Sequence, residues 1–166
     1  MTNKSKSVAF VGACTALAMV LAYVEVLLPP LFPAVPGIKM GLPNIVVVFL
    51  LYRKGPTVAA GVSLLRIVLI SLLFGNVMAM AYSLAGGVLS LLVMALLKRS
   101  RLLSAVGVSV AGSVAHNVGQ ILTAMWLLET AELGYYLVVL TVTGTVAGVL
   151  VGLCGALLVK RVPKNL

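Results

Sequence analysis

Arg66 stands about ten residues from either end of the apolar run 56–74, too deep for its guanidinium to reach water by stretching along a helix. Downstream, Ser113, His116, Asn117, Gln120 and Thr123 recur at intervals of three and four, the spacing that gathers side chains on one helical face. An arginine at that depth can bind an anion, and a face of imidazole, amide and hydroxyl groups can orient a polar solute through donors and acceptors together. Each feature also has a purely structural use. Arg66 can satisfy backbone carbonyls or Glu25, and the amides and imidazole can tie helices together at about 0.6 to 2 kcal/mol each. Lys39, outside the other basic clusters, either receives an anion or is a solvated loop lysine. His116 is the one histidine; it has no acid near it in sequence to make a triad and no second histidine to make a metal site.

These side chains have to be positioned by membrane helices. The 166 residues are 62% hydrophobic and 9% charged, with a mean hydropathy of +1.22; soluble domains are roughly half apolar and a quarter charged. A soluble fold is excluded. At about 20 residues per crossing the chain has room for about six helical spans with short loops, a single integral membrane domain over 1–166. Its acids number three, Glu25, Glu129 and Glu132, with no aspartate, which removes most chemistry that needs carboxylate pairs or carboxylate-held Mg²⁺. The net charge of +9 is not gathered on one stripe as a nucleic-acid footprint would be. Ten of the twelve basic residues instead form four clusters: Lys4 and Lys6; Arg53 and Lys54; Lys98, Arg99 and Arg101; Lys160, Arg161 and Lys164. Basic clusters mark cytoplasmic ends.

The expected spans are 8–28, 38–52, 56–74, 77–97, 103–128 and 133–159. The first reads as a retained span because it is too long for a signal-peptide core and lacks a clear small-residue cleavage site. Pro29, Pro30, Pro33, Pro36 and Gly37 forbid a continuous helix, so the chain from Pro29 to about Gly41 is expected as an extracytoplasmic loop. The second span is the awkward one. Its apolar run from Leu42 to Tyr52 would reach only about 16 Å against about 30 Å of hydrocarbon, so the helix is expected to start before Leu42 or enter obliquely. Six spans put both termini and all four basic clusters in the cytoplasm and the acids at the outer ends. Cys14 and Cys154 read as packing residues in a compartment where disulfides do not persist.

Small residues repeat at four-residue spacing in the first span (Ala9 and Ala13, Gly12 and Ala16, Ala18 and Ala22) and in the last (Gly144, Gly148 and Gly152). Such faces let helices approach backbone to backbone, within the bundle or against a partner. No internal repeat supports two matching inverted halves.

Four segments, PGIKMGLPN (36–44), RIVLISLLFGN (66–76), SLAGGVLSLLVM (83–94) and GSVAHNVGQ (112–120), resemble the family described as heptaprenyl diphosphate synthase component I, also called the Gx transporter family. That family is similar to the substrate-binding S components of energy-coupling factor transporters, six-helix membrane proteins that bind a small ligand. The resemblance implies that Lys39 and Asn44 belong to a capping loop and its adjoining helix, and Arg66, His116, Asn117 and Gln120 to a ligand pocket. Ala9, Gly12, Ala13 and Ala16 would form a coupling face for a transmembrane partner driven by two cytoplasmic ATPases. The synthase description implies another partner, a soluble prenyl synthase. With no aspartate the chain cannot supply the Asp-rich, Mg²⁺-holding motifs of familiar prenyl synthases, and with no nucleotide-binding glycine loop it cannot energise uptake alone. No cofactor is expected.

Overall fold

The structure is a computed structural model that describes residues 3–27 and 41–163. Six α-helices follow in order: α1 (Asn3–Leu27), α2 (Asn44–Arg53), α3 (Pro56–Phe74), α4 (Val77–Ser100), α5 (Ala105–Leu127) and α6 (Tyr136–Arg161), with a 3₁₀ turn at Ala131–Tyr135 leading into α6. The turns are written locally. Gly55, with φ of 98°, reverses the chain in a conformation that disfavours other residues, and Pro56 then opens α3. Asn76 and Ser104 cap α4 and α5 by accepting from the N–H groups of Ala79 and Gly107.

Five helices, α1 and α3 to α6, are long and apolar enough to cross a membrane. Of the expected span 38–52, residues 41–52 are described. The described helix there, α2, has ten residues, about 15 Å at 1.5 Å per residue and half of a hydrocarbon core. Its start is set by Gly41 in the left-handed region, φ 73°, and by Pro43, which has no N–H and restricts the residue before it. Val46 to Leu51 are six consecutive buried residues, so α2 is apolar all round and enclosed. It packs against α6 and α3, with α1 beside it.

The long helices pack in the sequence α1, α3, α4, α5, α6. Their contacts use small residues, as expected where lipid supplies no hydrophobic drive. A Cβ on Gly119 of α5 would lie 2.9 Å from the Gly86 Cα of α4, and one on Gly148 of α6 would lie 2.7 Å from the Val110 Cα of α5. The repeat in the last span is therefore internal packing. The bulky residues Leu72, Leu96, Leu122, Val142 and Leu157 are more than half exposed, an apolar exterior suited to acyl chains. Cys14 is buried, consistent with packing, whereas Cys154 is exposed because it falls on the outward face of α6.

The basic clusters gather at one end. Lys54 Nζ lies over the Phe10 ring of α1, and Lys98 of α4 donates to the Leu51 carbonyl of α2 at 2.5 Å. Leu158 and Val159 of α6, and Val162 just past its end, pack on the same apolar cluster as Phe10 and Phe49. By the course of the helices, Glu25, Glu129 and Glu132 fall toward the opposite end.

Candidate functional site

α2 stops short of the acidic end, and the space above it is a cavity. Its volume is about 110 Å³, and each of the six helices lends it a polar side chain: Glu25, Asn44, Arg66, Ser83, His116 and Thr143 among them. Asn117, Gln120 and Ser113 also reach it from α5, as does Ser71 from α3.

Arg66 is held at mid-helix on α3 by the buried neighbours Ser63 and Ile67, which fix the face of the helix that turns inward. Its Nε is inaccessible to solvent and has no hydrogen-bond partner among the described residues. Glu25 lies within electrostatic reach of the guanidinium, and its Oε1 accepts from the Leu42 N–H at 2.7 Å. One carboxylate thus faces the buried cation and also fastens the chain entering α2. Asn44, the first residue of α2, sits beside Gly41, where a Cβ would come within 3.2 Å of the Asn44 amide nitrogen.

The α5 stripe divides. Ser113, His116, Asn117 and Gln120 line the cavity, whereas the Thr123 hydroxyl donates back to the Gly119 carbonyl at 2.9 Å and is spent within its own helix. Asn117 serves two ends: its Nδ2 donates to the Leu140 carbonyl of α6 at 2.6 Å, an interhelical tie, and its side chain still borders the cavity. Gly86 permits the close approach of this stripe. A Cβ there would meet the His116 carbonyl at 2.7 Å and Gln120 Cγ at 2.8 Å. Gly144 does the same opposite Asn117, against whose amide nitrogen a Cβ would collide.

Five of the six candidate ligand residues, Asn44, Arg66, His116, Asn117 and Gln120, therefore share one cavity wall. Lys39 lies outside the described residues. Sequence reasoning treated Glu25 only as a structural partner of Arg66 and did not single out Ser71, Ser83, Thr143 or Gly86. A lone acid near the end of an apolar helix was a signal for Glu25; single serines and threonines in apolar helices carry none, since they bond back to their own helix as often as not. The arrangement offers a cation, a carboxylate and several neutral donors and acceptors around one cavity between the helices, which is equipment that could hold a small polar molecule. Among the described residues no group of three or more His, Cys, Asp or Glu side chains is placed to hold a metal ion.

Ala9, Gly12, Ala13 and Ala16 lie away from this cavity, on the exposed side of α1. Nothing comes within 4 Å of a Cβ built on Gly12, and Gly12 and Ala16 floor a shallow groove walled by Val11, Thr15 and Leu65. Cys14, Ala18 and Ala22, on the other face of α1, are buried.

A family model described as heptaprenyl diphosphate synthase component I matches residues 14–158. No curated protein and no solved structure gives a significant match.

Proposed function

The chain belongs to the heptaprenyl diphosphate synthase component I family, and from that premise we propose that it is a membrane subunit that binds a small polar or anionic solute for uptake. The observation that carries this reading is the polar cavity inside the apolar bundle, with Arg66 in its wall. A guanidinium in hydrocarbon costs at least a few kcal/mol; Glu25 lies within electrostatic reach of this one, and interhelical glue alone does not require a cavity beside it. Arg66 supplies charge for the solute, and His116, Asn117, Gln120 and Asn44 supply orientation. Uptake is driven from outside the chain, by a transmembrane coupling subunit with two cytoplasmic ATPases, in the manner of an energy-coupling factor S component. The exposed small-residue face of Ala9, Gly12, Ala13 and Ala16 is the docking surface for that subunit. The protein works in the cell membrane of a prokaryote with its basic end in the cytoplasm, and it is not itself an enzyme.

The test is to extract and identify the small molecules that stay bound to the purified protein, for the natural sequence and for Arg66→Ala. The proposal expects one polar solute near stoichiometric amount, lost from the variant while the variant elutes as a folded monodisperse protein. Equal recovery from both would remove Arg66 from the site.

The family description itself favours a second reading, a non-catalytic membrane component that assists a soluble prenyl synthase. In that case the cavity or the basic end would serve the isoprenoid diphosphate. Co-purification with a prenyl synthase subunit distinguishes it from the first reading.

A further inference from the structure

Two polar side chains of the cavity wall, where α5 meets α6, have their polarity set by the hydrogen bonds they make. Asn117 Nδ2 donates to the Leu140 carbonyl at 2.6 Å, and the reverse placement of that amide would set Oδ1 against the carbonyl oxygen, lone pair to lone pair. Gly144 makes room for this tie, because a Cβ there would collide with Nδ2. With Nδ2 turned to α6, Oδ1 is the acceptor that Asn117 brings to the cavity it lines. Thr143 lines the same cavity, and its hydroxyl donates to the Val139 carbonyl at 2.9 Å and to that of Leu140 at 3.3 Å. The single hydroxyl hydrogen is used there, so Oγ1 has only lone pairs to offer. Arg66, in the wall on α3, is the opposite case: a guanidinium carries donors and no acceptor, and its Nε is buried with no hydrogen-bond partner among the described residues. Gln120, Ser71 and Ser83 can serve in either sense. The cavity is therefore polarised, with a donor group on α3 and acceptors at the α5–α6 contact.

Resting on the reading of this cavity as a solute site, we infer that the solute carries an O–H or N–H donor as well as the acceptor group that meets Arg66, and that Asn117 Oδ1 and Thr143 Oγ1 select it by that donor. The class is a small hydroxy acid or amino acid rather than a bare oxyanion. A carboxylate suits the planar fork of the guanidinium. A sulfate or an unsubstituted carboxylate satisfies Arg66 equally well, but it brings only lone pairs to the α5–α6 wall and leaves both acceptors there without a hydrogen. A site arranged around a solute's donor rejects the analogue that lacks it more strongly than an apolar pocket rejects a missing methylene, because the site's own polar groups are then left unpaired.

The experiment is calorimetric titration of the purified full chain in detergent, freed of bound small molecules, with four probes: L-lactate, L-alanine, propionate and sulfate. Lactate and alanine are expected to bind about fivefold or more tighter than propionate, and sulfate no tighter than propionate. Asn117→Ala is expected to bring the lactate-to-propionate ratio toward unity. A merely structural role for the tie to Leu140 would instead weaken both probes together and leave the ratio as it was, which overturns the selection by Asn117. Thr143→Val keeps that tie and also lowers the ratio, so the test stays open if Asn117→Ala does not fold. Propionate or sulfate binding as tightly as lactate and alanine, or a ratio unchanged in both variants, would overturn the inference while leaving a solute site in place. Failure of all four probes to bind would overturn the solute class, and the comparison of molecules extracted from the natural protein and from Arg66→Ala reports separately on whether the cavity is a solute site at all.

Discussion

Arg66 is costly to keep in a bilayer, and the residues around it show how the cost is met. Glu25 faces it electrostatically, and the cavity gives its donors room to meet a polar molecule. Truncating a buried charged contact of this kind removes about 2–5 kcal/mol, so Arg66→Ala is expected to weaken solute binding by at least about 30-fold. A titration of the recovered solute against purified variant checks this. Arg66→Lys should recover only part of the affinity, because an ammonium cannot reproduce the planar fork of donors. Glu25→Gln separates two roles of one side chain. If the carboxylate mainly balances Arg66, the amide variant still accepts from Leu42 and binds an anionic solute more tightly than the natural protein does; measured affinity for an anion should therefore rise, and a fall would mean that Glu25 itself meets the ligand.

At the level of elements, the helix crossings rest on glycines that other residues cannot replace. Gly148→Ala would set a methyl 2.7 Å from the Val110 Cα, a backbone contact that cannot swing aside, and is expected to cost about 1–3 kcal/mol. Loss of thermal stability in detergent measures it. Gly12→Leu is the contrasting case. With open space around Gly12, it should leave stability and solute binding intact while blocking recovery of a coupling partner. Much of this level was legible in the sequence: proline and glycine punctuation marked the helix ends, and α3 begins and ends where the apolar run does, at Pro56 and Phe74. The α5 stripe was legible because four-residue spacing is a strong signal for a shared face. The shortness of the apolar run from Leu42 to Tyr52, about 16 Å, was legible too; what escaped was that its turns are buried inside the bundle, since an apolar run reads alike whether it lies in lipid or inside protein. The contributions of Ser83 and Thr143 escaped because which face of α4 or α6 turns inward is decided by Gly86 and Gly144, and that is a property of the packing rather than of either helix alone.

At the scale of the molecule, charge and cavity divide between two ends. Eight basic residues of the described chain, from Lys6 to Arg161, mark one end, and the cavity is lined toward the other by Glu25 and Gly41. In the proposed orientation, with the basic end in the cytoplasm, a solute would enter from outside and have to cross past α2, whose turns Val46 to Leu51 are buried and apolar. On the proposed function, those buried turns of α2 are what a coupling partner would have to move for the ligand to be released. Single cysteines placed in a Cys14→Ala, Cys154→Ala background check the orientation: a cysteine at Glu129 should react with an impermeant maleimide on intact cells and one at Lys54 should not. The most direct test of the central claim is purification from the native host in a gentle detergent, with co-purifying proteins quantified against an unrelated multi-span membrane protein. The account predicts a transmembrane coupling subunit together with two ATPases; recovery of a soluble prenyl synthase in their place would contradict it.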